Sequence, residues 1–534
     1  MKNTFTRSAK ILSIAASTLL LAPACTKDLN RTPTYDLTAD KVYKDAAGYK
    51  TQLAKLYGGF ALTGSQGPAG TPDIKGIDEG TSDYIRQLWS AQELTTDEAV
   101  IQWGDPGIQD WHNLNWTSNG VLIRGLYSRL MYEVTICNSY LQQAADAQLT
   151  SRGITSTDAG SIATFRAEAR FLRALAYYHA LDLYGNTAFA TEKDIIGGTV
   201  LPPRTTRADL FTYIETELKA IDTSLLAPRA NEYGRADQAA AWALLAKLYL
   251  NAQVYTGTPR YADAATYAKK VIDAGYKLLP KYGNLFLADN DKNNTEIIFP
   301  IVFDGKFTQS YGGTTFLTHV AVPSTAVATW NPAFYGIGGG WGGARTTANL
   351  FQQFPDTASD SRGRFHTGSQ SLAIVSLTDF QYGYVPIKFR NVTSAGVAGS
   401  DNTFVDADYP MFRLGDMYLT YAEAAVRGGG DMGLALTYVN TVRSRAYNNT
   451  TNGNITASNL TLDFLLAERS RELFWEATRR TDLIRFGRFT SASYLWPWKG
   501  GVMAGQGVAD TYNLLPIPSS ELSINPNLQQ NPGY

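Results

Sequence analysis

Cysteine is almost absent from this chain. Only Cys25 and Cys137 carry a thiol in 534 residues, so a disulfide-stapled fold is excluded and stability must come from a large core. Histidine is nearly as scarce, and His112, His179, His319 and His366 form no His-x-x-x-His or Cys-x-x-Cys pairing, so no zinc site is expected. Charge is thin as well. Lys, Arg, Asp and Glu make up 18% of the residues, below the usual share of about 25%, and the net charge of −1 leaves no electrostatic footprint for nucleic acid. The apolar run at 11–21 is too short for a permanent membrane-spanning helix, which needs about 20 residues. No Gly-x-Ser-x-Gly elbow occurs, which argues against a serine hydrolase.

That short run has a different use. Lys2, Arg7 and Lys10 precede it, and Leu21-Ala22-Pro23-Ala24-Cys25 follows, which is the pattern of a cleaved export signal over residues 1–24. A cysteine directly behind small residues suits thioether attachment of lipid, so Cys25 becomes an acylated mature N-terminus. Ala22 stands where Leu is more frequent. Residues 25–45, polar and carrying Pro33, read as a tether, and 46–534 as a single domain. With Cys25 acylated, Cys137 has no partner for a disulfide.

The body reads as helical. Phe165, Ala169, Leu172, Ala176, His179 and Leu183 line one helix face that Gly185 ends, and His179 within that stripe is expected in the core. Residues 237–252 and 261–274 form a second helical pair across a Gly-Thr-Pro turn, with small Ala246, Ala265 and Ala268 where helices touch. Residues 418–426 and 434–445 repeat the theme across Gly428-Gly429-Gly430. The expected fold is all-α dominated, a tetratricopeptide-like scaffold with long irregular insertions and minor β structure. Two excursions, 64–116 and 284–402, are rich in Gly, Asn, Thr and aromatics, and loops that long are usually functional. The proline-bearing tail from Leu514 to Tyr534 reads as extended chain lying on the body.

Several constellations compete for a chemical role. Asp289-Asn290-Asp291-Lys292-Asn293 begins like a calcium loop but lacks its Gly and its closing Glu. Residues 338–343 satisfy a dinucleotide fingerprint literally, yet no strand precedes them; tight glycine turns that present Trp341 are the better reading. Glu468, Glu472 and Glu476, spaced four apart on one helix and interleaved with Arg469, Arg471, Arg479, Arg480 and Arg485, read as a structural ion-pair lattice, because carboxylates held ionised make poor general acids. Trp242 and Trp475 are placed within helices and assigned to the core, and Trp89 is read as anchoring its loop to the scaffold. The stretch 86–103, followed by Gly104-Asp105-Pro106-Gly107, gathers a guanidinium, carboxylates and indoles. Indole faces suit the C–H face of a sugar, and Arg, Asp and Asn suit its hydroxyl rim.

Five separated motifs then carry a resemblance. Arg166-Ala167-Glu168-Ala169-Arg170-Phe171-Leu172-Arg173-Ala174 with Leu183-Tyr184-Gly185, Tyr421-Ala422-Glu423-Ala424, Glu468-Arg469-Ser470-Arg471-Glu472-Leu473, Asp482-Leu483-Ile484-Arg485-Phe486-Gly487, and Pro516-Ile517-Pro518 with Gln530-Asn531-Pro532-Gly533-Tyr534 stand in the order found in the SusD/RagB family. The chain resembles these outer-membrane nutrient-binding lipoproteins of Bacteroidota along its whole length.

The resemblance implies a tetratricopeptide-like body, no catalysis, and capture of oligosaccharide for a SusC-like TonB-dependent transporter; no cofactor and no metal-ligand set is read from the residues themselves. Lys27-Asp28 resembles the family's surface-export signal, which implies display at the cell outer membrane. The family's founder uses an Arg and a Trp at positions matching Arg86 and Trp103; Asp105, Tyr311, Trp330 and Trp341 are further candidate ligand contacts. Pro106 stands where the founder offers a hydrogen-bonding side chain. Two rivals remain open: a peptide binder of the RagB branch, and a glycoside hydrolase using Asp97, Glu98 and Asp105.

Overall fold

Short oxygen-bearing side chains start most of the long helices. The computed structural model describes residues 38–534 except 70–71, 293, 324–329 and 369, so the export segment and Cys25 lie outside the described residues. The scaffold helices are α1 (Ala46–Ala61), α2 (Val121–Gln143), α3 (Ser156–Leu183), α4 (Arg207–Ile221), α5 (Gln238–Leu250), α6 (Tyr261–Asp273), α7 (Leu414–Val426), α8 (Met432–Ala446) and α9 (Leu462–Leu473). Asp45, Thr155, Thr206, Asp237, Asp431 and Thr461 cap six of them by accepting a bond from an amide three residues on. Each such cap contributes about 1 kcal/mol.

The helices stack as the sequence pattern leads one to expect. α3 lies against α1, α2 and α4, while α5 pairs with α6, α6 with α7, and α7 with α8. Helix α5 is apolar nearly all round, and Ala239, Ala240, Ala241, Ala243 and Ala246 are wholly buried, so its neighbours approach closely on several sides. Between α7 and α8, Gly428 adopts φ +91° and Gly429 passes so near α6 that a Cβ would stand 2.3 Å from the Tyr261 carbonyl carbon. The tail closes the other end. Leu515 N donates to Leu183 O at 2.8 Å, Asn531 binds the Tyr184 and Leu515 carbonyls, and the Trp116 indole donates to the Tyr534 hydroxyl at 2.7 Å.

The first excursion departs from expectation. Much of 64–116 is ordered helix: Glu79–Ser82, Tyr84–Trp89, the π-helix Ser90–Leu94 and Ile108–Asn113, and nearly every residue from 84 to 101 is buried. The helical period was masked because polar residues here point inward and are paired. Gln92 binds Asp182 and Thr481, Asp97 binds Arg479, and Glu98 accepts from Ser470. The second excursion is mostly irregular, with short strands. One of them, Ile297–Ile301, pairs antiparallel with Tyr409–Arg413.

The three acids form an ion-pair lattice as expected, but not along one helix, and of the arginines beside them in sequence only Arg471 is a partner; Arg469, Arg479 and Arg485 pair with other carboxylates. α9 ends at Leu473, Trp475 takes φ +62°, and Glu476 follows in the turn, so neither Trp475 nor Glu476 is helical. Trp475 is nevertheless core, as is Trp89, while Trp242 is half-buried with its indole on Asp222. Glu472 accepts from Arg362, Arg413 and Arg445; Glu468 from Arg362, Arg443 and Arg471; Glu476 from Arg413 and Lys388. Glu296 and Asp360 complete it. Burial pushes the Glu472 carboxyl up, yet Arg445, Arg413 and Arg362 outweigh it and hold the group at about 2.

A depressed carboxyl stabilises the fold above its unfolded-state value near 4.5 and loses that contribution as pH falls toward about 2. Glu472→Gln leaves three buried guanidinium groups short of charge, and urea denaturation at pH 7 is expected to show a loss of about 3–5 kcal/mol. The variant should also lose less stability than the wild type between pH 4.5 and 3. Equal stability at pH 7 would show that the lattice is not a support.

Candidate functional site

Two distant segments are joined here backbone to backbone. Val100–Ile101 pairs antiparallel with Ala344–Arg345, Gln102 N donates to Gly343 O at 3.0 Å, and the Gln102 side chain donates to Gly342 O. Thr346 and Thr347 extend the seam by donating their hydroxyls to the carbonyls of Glu98 and Asp97. Gln109 binds the carbonyls of Ile101 and Trp103 at 2.7 and 2.8 Å, fixing the chain on either side of the second indole. Arg345 is buried and spent on carbonyls, those of Tyr382, Gly343 and Leu377 among them.

The seam sets the rings. Trp103 is half-buried against Phe316, with centroids 6.1 Å apart, and its indole N–H lies 3.3 Å from the Trp341 carbonyl. Trp341, also half-buried, stacks on His319 at 4.8 Å, and Tyr311 sits 6.2 Å from Trp341 and 5.2 Å from Phe404. The His319 nitrogens face the carbonyls of Gly339 and Thr403 at 2.7 and 2.8 Å, which fixes the ring beneath the indole. Close glycines make this possible: a Cβ on Gly343 would stand 2.8 Å from Trp103 Cε2, and one on Gly340 would stand 2.1 Å from Val322 O.

Arg86 lies at the edge of these rings. Its guanidinium carbon is 4.9 Å from the Phe316 centroid and 5.5 Å from that of Trp103, within cation–π range. Among the described residues no acceptor takes a hydrogen bond from that guanidinium; Asp83, Asp105 and Asp78 act on it only through their field. Burial pulls its pKa down and those carboxylates oppose the change. Asp83 is occupied elsewhere, accepting from the Arg86 amide at 2.7 Å and from Gly313 N and Ser310 Oγ at 3.2 Å. A cleft of about 230 Å³ opens beside the rings, with Tyr311, Gly312, Gly80 and Asp78 in its wall. The arrangement offers ring faces and unpaired cationic donors on a rigid base.

Arg86, Trp103, Trp341 and Tyr311, chosen from the sequence, therefore lie together, with Tyr311 41% exposed. Asp105 is exposed beside them. Trp330 is not in the group: it is 6% exposed and packs on His366 at 3.8 Å and on Phe380 at 6.0 Å, so it serves the core. Asp97 and Glu98, two of the three acids of the hydrolase reading, are each 1% exposed, so neither faces a substrate, while the third, Asp105, is exposed. Burial raises Glu98 to about 7, with Arg479 opposing, and Asp97 is paired with Arg479 at 2.7 Å. Phe316 and His319 were missed; only the Gly312-Gly313 pair before them hinted at close packing.

Comparison with known proteins adds the following. The model of the SusD family matches residues 367–534. The chain is 36% identical to the starch-binding protein SusD of Bacteroides thetaiotaomicron, over 99% of this chain and 100% of that one. It is 25% identical to a SusD-like protein of Bacteroides ovatus, over 90% and 83% of the two chains. Among solved structures, a SusD homologue from B. thetaiotaomicron superimposes with TM-score 0.72 at 20% identity, covering 95% of this chain and 100% of that one. Surface glycan-binding protein A of the same organism, in complex with laminarihexaose, gives 0.68 at 20% identity, covering 91% and 99%. The likeness to these two structures shows the fold.

Gly343→Ala is expected to cost about 1–3 kcal/mol in urea denaturation, because the methyl group must displace Trp103 or Val320. Gly339→Ala, where a Cβ meets nothing within 4 Å, serves as the control and should stay within about 0.5 kcal/mol of the wild type. Indistinguishable variants would mean that the indole is not held by this contact.

Proposed function

This chain belongs to the SusD family, and we propose that it binds oligosaccharide on the platform of Arg86, Trp103, Tyr311 and Trp341. The observation that carries the reading is the Arg86 guanidinium, set between aromatic rings with no hydrogen-bond acceptor among the described residues. A sugar presents C–H bonds on its faces and hydroxyls at its rim, so a ring can stack on an indole while a hydroxyl accepts from the guanidinium. The relatives support the same class of ligand: one is named for starch binding, and another was solved with laminarihexaose. Pro106 beside Asp105 keeps starch itself from being the inevitable ligand.

The protein acts without catalysis in this reading, as a lipoprotein anchored through Cys25 at the outer membrane and handing its ligand to a SusC-like TonB-dependent transporter. Modest affinity is sufficient for that. A millimolar site corresponds to about −4 kcal/mol, and tethering beside a transporter raises effective concentration at the point of uptake.

Affinity electrophoresis in gels containing soluble glycans tests the platform. Trp103→Ala is expected to abolish retention and Arg86→Ala to weaken it about tenfold, an energy of about 1.4 kcal/mol, with the melting transition of each remaining cooperative. Unchanged retention of Trp103→Ala removes this residue from the site, and retention of peptides but of no glycan would replace the ligand class. For the anchor, Cys25→Ala should move the chain from the membrane fraction to the soluble one.

A further inference from the structure

A second cavity, of about 220 Å³, lies between the segments 282–287, 361–364 and 387–396 and shares no lining residue with the aromatic platform or its cleft. Its wall carries Arg362, Arg364, Lys388 and Arg390 and no Asp or Glu. Two of the four cations are already neutralised from the core side. Arg362 binds Asp360 at 2.7 Å, Glu468 at 2.8 Å and Glu472 at 3.1 Å, and Lys388 binds Glu476 at 2.6 Å.

The other two are not. Arg390 is half-buried; its Nε donates to Phe334 O at 2.9 Å and its guanidinium lies 3.8 Å over the Phe334 ring. Its terminal nitrogens bind no acceptor among the described residues, and Arg364, which is exposed, makes no side-chain bond or ion pair there. The charges of both reach the buried Tyr335 hydroxyl, which has no hydrogen-bond partner. Burial pulls the pKa of Arg390 down, and Arg364 adds to that shift. Asp289, which touches the rim residue Ser394, is committed to it, accepting from its amide at 2.8 Å and its hydroxyl at 2.7 Å.

Many buried guanidinium groups elsewhere in this protein are matched by carboxylates, while Arg345 and Arg480 are met by backbone carbonyls instead. Arg413, Arg445, Arg469, Arg479 and Arg485 each hold at least one at 3.2 Å or less. Beneath the cavity, six cations (Arg362, Lys388, Arg413, Arg443, Arg445, Arg471) meet only five carboxylates (Glu296, Asp360, Glu468, Glu472, Glu476), so the lattice itself carries surplus positive charge. Arg364 and Arg390 add to that surplus at the mouth. The Ser361 hydroxyl and the Asn284 amide line the same space, and neither side chain makes a hydrogen bond within the described residues.

We infer that this cavity is a second ligand site, one that takes a small oxyanion, a carboxylate, sulfate or phosphate group, between the guanidinium groups of Arg364 and Arg390 with Ser361 and Asn284 as further donors. Guanidinium recognises such groups with paired, charge-assisted hydrogen bonds. The volume lies below the roughly 300–1,000 Å³ of sites for larger ligands, so the cavity suits a free ion or one acidic sugar ring and not an oligosaccharide. The inference does not depend on the glycan reading of the platform.

Isothermal titration of the soluble mature chain at low ionic strength, with sulfate, phosphate, glucuronate and glucose in separate runs, tests it. At least one of the three anions is expected to bind to one site with millimolar affinity, weakened about tenfold in Arg364→Gln and in Arg390→Lys, and left unchanged in Arg86→Ala. Glucose should give no such site. Binding of glucuronate alone identifies an acidic sugar as the source, and binding of sulfate or phosphate alone identifies a free ion; either outcome supports the site. The proposal is overturned if none of the anions binds, if Arg364→Gln binds as well as the wild type, or if binding is lost in Arg86→Ala. Arg364 is exposed and unpaired, so Arg364→Gln keeps the fold and leaves the result interpretable.

Discussion

The pairing of buried carboxylates with buried arginines is the constraint on which the rest of this structure depends. No disulfide staples the described residues, where Cys137 is the one cysteine and is buried. Burying an ion costs several kcal/mol, which attraction repays only when geometry is good and every partner is present. Here the partners come from far apart in the sequence: Glu468 and Glu472 from α9, Arg443 and Arg445 from α8, Arg413 from a strand, Glu296 and Arg362 from the second excursion. No sub-part can satisfy its own charges. Folding must therefore bring the helical frame and the excursion together in one register.

That requirement reaches the candidate site in a few steps. Arg479, just after α9, binds Asp97, and the carbonyls of Asp97 and Glu98 receive the hydroxyls of Thr347 and Thr346. The seam of Val100–Ile101 with Ala344–Arg345 follows, and beyond its ends stand Trp103 and Trp341. Rings held in this way lose little freedom on binding, which matters for a ligand that gains only a few kcal/mol from a shallow surface. The same logic explains why glycines crowd the platform. Gly343 gives Trp103 room, Gly340 lets the chain pass over Val322 O, and Gly312 makes space for Asp83.

Much of the frame was legible from the sequence because apolar spacing, capping residues and terminal glycines agree there. The stripe ending at Leu183 and Gly185 became α3 with its φ +72° glycine, and His179 proved to be a core residue bonded to Tyr84 at 2.7 Å. Periodicity failed where polar side chains are buried. Gln92, Asp97 and Glu98 break the apolar period, so a buried stretch that is helical as far as Leu94 looked like a loop. Trp475 and Glu476 were misplaced for a different reason: nothing local signals that α9 stops at Leu473, since a left-handed tryptophan is held there by packing and not by its own preference. The platform was half legible. Arg86 and Trp103 came through family resemblance and Trp341 through its glycines, whereas Phe316 and His319 gain their role only from the seam that brings Gly313–His319 to the indoles.

Arginine shows how one side chain divides the molecule into working and supporting parts. Arg362 and Arg413 are closed by carboxylates on the core side, and Arg345 is closed by backbone carbonyls, so at most one N–H of each is left for a ligand. Arg86 keeps its donors because aromatic faces, which accept no conventional hydrogen bond from it, supply its contacts. Arg390 uses one nitrogen on a carbonyl and lays its plane on Phe334, leaving its other nitrogens unused. A guanidinium is planar and remains charged under all ordinary conditions, so what it can bind is decided by which of its five N–H groups the fold leaves open. Neutral hydroxyl-rich ligands suit the first, flanked by indoles. The second, beside another cation and paired with no carboxylate among the described residues, favours an anion by the same rule that closed the lattice beneath it.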